Sequence, residues 1–269
     1  MAIAGAASML AASIPAQAQT RAGDGNAIDF VVGNIEYLLV HELAHLLIGE
    51  KSVPIVGPVE NAADYIATLA LIREAPLDPA EQDRALKFLL AAASAFEASW
   101  RRGDAFGAAV PYWDSHALSI QRYYQIACLL YGSDPDAFAD IPRATGLPEA
   151  RAAGCADEYL RASRAADWLL ESYGRQSGDT NAHETEIVYE GPPTMVSMRV
   201  VERLQSLELL ERIIDRFHQR FSLEEPFTVA MRTCNRSEAA WVPERRELLI
   251  CYELVDTLYL LGLAARPLE

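Results

Sequence analysis

The stretch Tyr37-Leu-Leu-Val-His41-Glu42-Leu-Ala-His45-Leu-Leu-Ile48 constrains this chain more than any other. It is an apolar run in which His, Glu and His stand at the H-E-x-x-H spacing. On a helix, positions i and i+4 lie one turn apart on the same face, so both imidazoles reach a single ion. Glu42 stands beside them, where it can hold a water on that ion. Val40, Leu43, Ala44, Leu46, Leu47 and Ile48 are apolar, so the helix is expected to be buried. Three polar side chains in such a run are costly unless something satisfies them, and a zinc ion does so. With 5 His in 269 residues, chance produces the motif in about one chain in a hundred of this composition. Two imidazoles and a base still need a third ligand.

The next helix offers one. Residues 51–58, with Pro54, Gly57 and Pro58, read as a turn-rich connection, and residues 59–72 as a second helix. Glu60 lies near its start and Asp64 one turn further along the same face. An acid at a helix start also has an ordinary reading, since the helix dipole favours it there. The position of Glu60 directly after the motif favours ligation, so His41, His45 and Glu60 are the expected zinc ligands. Asp64 is placed to hold one ligating imidazole, fixing its tautomer and raising its basicity.

Length and charge bound the rest. A chain of 269 residues, 51% hydrophobic, can bury a substantial core in one large domain. The formal charge of −15 disfavours nucleic acid or an anionic membrane surface as a partner. Residues 1–20 are small and apolar and end in Ala16-Gln17-Ala18, which reads as a signal peptide, although no Lys or Arg precedes Arg21. Export to the periplasm or beyond is therefore expected, and no later run is long and apolar enough to span a bilayer. Four cysteines suit an oxidising compartment. Three pairings are possible. Local pairing, Cys128–Cys155 and Cys234–Cys251, is expected, with four buried free thiols as the alternative.

The remaining chain divides in two within a single domain over residues 21–269. Residues 24–174 form a helical lobe. Asp29 or Asn34 is a candidate cap for the motif helix, residues 79–102 read as an amphipathic helix, and residues 149–173 as another. Between these last two, residues 112–132 crowd polar and aromatic groups at a helix start, where His116, Arg122 or Tyr123 can face a cleft. Residues 174–184 form a linker in which His183 is expected to be solvated. Residues 185–269 form a lobe that contains strands. Strands are expected at 186–189, 226–232, 239–242 and 247–251, with one long helix over 194–221 and a final helix over 252–261.

With these pieces in place, the chain resembles a family of exported bacterial metallopeptidase-like proteins, a domain of unknown function related to the gluzincins. The matching passages are His41-Glu-Leu-Ala-His45, Val59-Glu60-Asn-Ala-Ala-Asp64, Gln121-Arg122-Tyr-Tyr124 with Cys128 to Gly132, and Leu147-Pro148-Glu-Ala-Arg151 before Cys155. Cys234-Asn235 and Ile250-Cys251-Tyr252-Glu253-Leu254 complete the set. The pattern departs at Arg236 and Ser237, where a glycine-rich or Asn-Ala turn is more typical. The resemblance implies Zn²⁺, a peptide or protein substrate, and hydrolysis by a zinc-activated water with Glu42 as general base. It implies too that the glutamate on the second helix completes the ligand set while an acid four residues on holds an imidazole. His116 is the first candidate for oxyanion stabilisation and Tyr123 the second. In a zincin an edge strand borders the cleft, yet here the metal helix comes first and the strands last. The expected fold is thus a predominantly helical α+β, a circularly permuted zincin-like core with residues 186–252 forming a small C-terminal sheet over the metal helix. The alternative from another class is a non-catalytic zinc-binding periplasmic interaction or structural protein.

Overall fold

The computed structural model describes residues 16–74, 78–179 and 185–265, with side chains from residue 25 onward. Residues 1–15 of the expected signal peptide, and His183 in the linker, lie outside the described residues. Helix α1 (Ala16–Glu50) is the axis of the molecule. Apolar residues occur all around it, and Val31, Val32, Ile35, Leu39, Leu43, Leu46 and Leu47 are buried, which is the pattern of a helix enclosed on every side. Against the expectation that no run after the first twenty residues is long and apolar enough to span a bilayer, Gly25–Glu50 of this helix is, alone among the described residues, and it is packed inside the fold. Asp29 and Asn34 are not caps, because α1 starts further upstream. Asp29 pairs with Arg203 at 2.9 Å, and the buried Asn34 amide donates to the carbonyls of Phe30 and Ala91.

Helices α2 (Val59–Arg73), α3 (Pro79–Ala105) and α4 (Ser119–Ser133) pack on one side. A β-carbon at Gly33 would stand 2.6 Å from the Phe88 backbone, so this glycine lets α1 and α3 cross closely. The short helices α5 (Ile141–Thr145) and α6 (Glu149–Ala152) lead to α7 (Cys155–Tyr173). The single helix expected over 149–173 is therefore broken at Ala153 and Gly154. The break lets Cys155 open α7 and join Cys128 of α4 in a disulfide. At Gly132 a side chain would run into the carbonyl of Cys155, so α4 and α7 touch there.

The second half carries a four-stranded mixed sheet of order β1-β2-β4-β3. The strands are β1 (Glu186–Tyr189), β2 (Thr228–Arg232), β3 (Ala239–Val242) and β4 (Glu247–Cys251). β1, β2 and β4 run parallel, and β3 pairs antiparallel with β4 as the edge, Trp241 opposite Leu248. All five residues of β4 are buried. The long helix expected over 194–221 is two helices, α8 (Met195–Ser206) and α9 (Leu209–Arg220). They are separated by Leu207 and by Glu208 at φ 48°. Neither Gly nor Pro marks the break; the chain turns there so that Val200 and Leu204 of α8 and Leu210, Ile213 and Phe217 of α9 all reach the core. Helix α10 (Tyr252–Ala264) closes the chain against α1, and Cys234 is bonded to Cys251. Asn235 at φ 59° makes the turn where the sequence lacks a glycine, its N–H donating to Glu253.

The largest hydrophobic cluster runs from Ile28 to Leu258 and draws on both halves, with α1 at its centre. The sheet meets α1 through β3 and β4.

Candidate metal centre

His41 and His45 project from one face of α1, one turn apart, toward the first turn of α2. Pro58 at the N-cap sets an extended backbone before α2, so Glu60 enters in the first turn, facing α1. Glu60 Oε2 lies 3.3 Å from His41 Nε2 and 3.1 Å from His45 Nε2, and the two imidazole nitrogens are 3.1 Å apart. Zinc bonded to N and O at about 2.0–2.1 Å in a tetrahedron separates its ligand atoms by about 3.3 Å. The three edges here match that triangle to within a few tenths of an ångström. Two nitrogens and a carboxylate oxygen also make a donor set suited to zinc, so the residues fit the ion.

Behind the triangle, Asp64 is fully buried. Its Oδ1 lies 2.9 Å from His41 Nδ1, with the ring N–H off the line to the oxygen. The same oxygen accepts from the Tyr37 hydroxyl at 3.1 Å and from Arg122 Nη2 at 2.5 Å. The Arg122 guanidinium lies 4.1 Å from the Phe96 ring centre, so the buried cation has both a carboxylate and a π face. Sequence reasoning missed Tyr37, although its place four residues before His41 on the same helix face was a usable signal.

Glu42 is buried beside His41, and its Oε2 accepts the backbone N–H of Trp241 at 2.7 Å. This contact joins the metal helix to the edge strand across 199 positions of sequence, and nothing in the sequence marked it. His116 reaches the cluster from the loop between α3 and α4. Its Nε2 lies 2.9 Å from Glu60 Oε2 and its Nδ1 3.0 Å from Asp114 Oδ1. Asp114 was not singled out in the sequence, though an acid two residues before a histidine is a recognisable local pair. Tyr123 is not brought to this group. Its hydroxyl donates to the Thr145 carbonyl at 3.0 Å and its ring is buried in the second hydrophobic cluster, so it fills the helical core.

The model of a family described as "Putative metallopeptidase" matches residues 8–170 and 189–264. The chain belongs to that family. Searches of curated proteins and of solved structures returned no match.

In this metallopeptidase-family chain, the charges around the cluster are strongly coupled. Burial opposes a charged His41, but its contacts with Asp64 and Glu60 outweigh it and lift the imidazole to about 9 in the metal-free protein. Burial and the neighbouring His41 push His45 down. The His41 hydrogen bond, with help from His45 and His116, holds Glu60 at about 2. Burial pushes Asp64 up, yet His41 and Arg122 keep it below the ordinary carboxylate range. Glu42 goes the other way. Burial raises it to about 7, against the opposing pull of His41 and the Trp241 N–H. The arrangement thus offers two ionised carboxylates, Glu60 and Asp64, beside a third, Glu42, raised toward neutrality.

Proposed function

We propose that this chain is a zinc-dependent peptidase that hydrolyses peptide bonds in peptide or protein substrates. The observation that carries the reading is the His41–His45–Glu60 triangle at zinc-ligand spacing, next to a buried carboxylate held in place at one oxygen. His41, His45 and Glu60 would hold Zn²⁺, with Asp64 orienting His41. When bound, zinc lowers the pKa of a coordinated water and polarises a scissile carbonyl.

The chain's own groups do the rest. The Trp241 N–H fixes Oε2 of Glu42, which leaves the other oxygen to take a proton from the attacking water and later deliver it to the leaving amine. A carboxylate near neutrality serves both directions. His116 is half-exposed, so a substrate can reach it. Asp114 accepts from its Nδ1–H, so in the imidazolium form its Nε2–H is left to support the negative charge that develops on the carbonyl oxygen. The arrangement supports a circularly permuted zincin-like core, in which the metal helix comes first and the antiparallel edge strand β3 comes late. Two disulfides and the apolar first twenty residues support action in the periplasm or outside the cell.

The test is a peptide-library digest with the zinc-loaded protein and its Glu42→Gln variant. The variant is expected to keep one zinc and to lose about 10²–10⁴-fold in turnover. Full activity in Glu42→Gln removes Glu42 from the base role. A protein that holds one zinc and cleaves nothing is instead a non-catalytic zinc-binding protein.

A further inference from the structure

A cavity of about 410 Å³ opens between the C-terminal end of α3, the loop that follows it and the start of α4. Trp100, Val110 and Leu118 give it apolar walls, Asp104 stands in it, and His116 forms its boundary with the metal centre. His116 is the residue whose Nε2 touches Glu60, so the cavity begins where the ligand triangle ends. It is large enough for the longest amino-acid side chain. Arg122 also borders it, but that guanidinium is committed to Asp64 and the Phe96 ring.

Its charge favours a cation. Asp104 is exposed in the last turn of α3 and free to meet a ligand. The chain's formal charge of −15 draws cationic polypeptides toward it. The apolar walls suit an aliphatic stem, and Trp100 offers a π face along it.

We infer that this cavity receives a basic side chain, Lys or Arg, from the substrate residue next to the scissile bond. The inference rests on the peptidase reading, and its test separates the two. Matched peptides carrying Lys, norleucine or Ala are compared, with the substituted position scanned on both sides of the bond. At one position Lys should exceed norleucine in kcat/KM, because norleucine keeps the stem and removes the charge. In Asp104→Asn the Lys-to-norleucine ratio should fall about two- to fivefold, the worth of one solvent-reached charge pair. In Asp104→Lys it should invert. An unchanged ratio in both variants, or no position that prefers Lys, overturns the inference while cleavage leaves the peptidase reading standing. Calorimetric binding of the same peptides to zinc-loaded Glu42→Gln protein, with and without Asp104→Asn, covers the other case. Absence of cleavage with Asp104-dependent discrimination in binding sinks the peptidase and keeps the cavity; absence of both sinks both.

Discussion

Asp64→Asn separates what holds the metal centre from what holds the fold. The wild-type carboxylate is fully buried and its Oδ1 serves His41, Tyr37 and Arg122 together. Asparagine keeps the shape and one acceptor oxygen but removes the charge. Arg122, with a side chain 11% exposed, is then a buried cation whose ionic partner is gone. Removing one member of a buried ion pair costs about 3–5 kcal/mol, and the Phe96 ring under the guanidinium places this case toward the lower end. His41 also loses the charge that orients it, and the loss of such an outer partner weakens metal binding about 10–100-fold. The two effects are measured separately: urea unfolding of the metal-free protein for the first, and competition with a chromophoric zinc chelator for the second. Wild-type zinc affinity in a stably folded Asp64→Asn protein would show that Asp64 does not position His41. Wild-type unfolding stability would refute the buried ion-pair argument.

Three further outcomes are expected. Burial raises Glu36 to about 7 despite Arg216, Arg212 and Arg84 nearby, so the folded state binds its proton more tightly than the unfolded state. Its contribution is full below about pH 4.5 and is lost as pH rises through about 7, a swing of about 3 kcal/mol at 1.36 kcal/mol per pKa unit. Glu36→Gln should flatten that part of the stability–pH curve, and a slope equal to wild type across pH 5–7 refutes it. With His41 lifted to about 9 in the metal-free protein, zinc binding at pH 7 should release about one proton. Calorimetry in buffers of different ionisation enthalpy measures this, and no buffer dependence would overturn the assignment of a protonated His41. Finally, Cys128 and Cys155 close a 27-residue separation, for which the chain-entropy model gives about 3.5 kcal/mol. The Cys128→Ser/Cys155→Ser protein should unfold at correspondingly lower urea, and an unshifted midpoint counts against that loop-closure account.

Local periodicity was enough to group His41, His45 and Glu60. His41 and His45 are one turn apart on any helix, and Glu60 and Asp64 one turn apart on the next, so a short connection between two apolar helices suffices to bring them together. Both disulfides, the four strands and most helices follow from equally local patterns of Cys placement, alternation and 3.6-residue spacing. What the tertiary structure decided are contacts between positions far apart in sequence, which no local pattern encodes. The Trp241 N–H on Glu42 depends on an edge strand packing against the metal helix, and Arg122 on Asp64 depends on α4 crossing α2. The break at Leu207 and Glu208 has the same origin: a residue without helix-breaking character takes a left-handed turn because burial of both apolar faces outweighs the local cost. Tyr123 shows the converse. An aromatic hydroxyl near a suggestive motif looked available for chemistry, and the packing of α4 turned it inward to a carbonyl of α5.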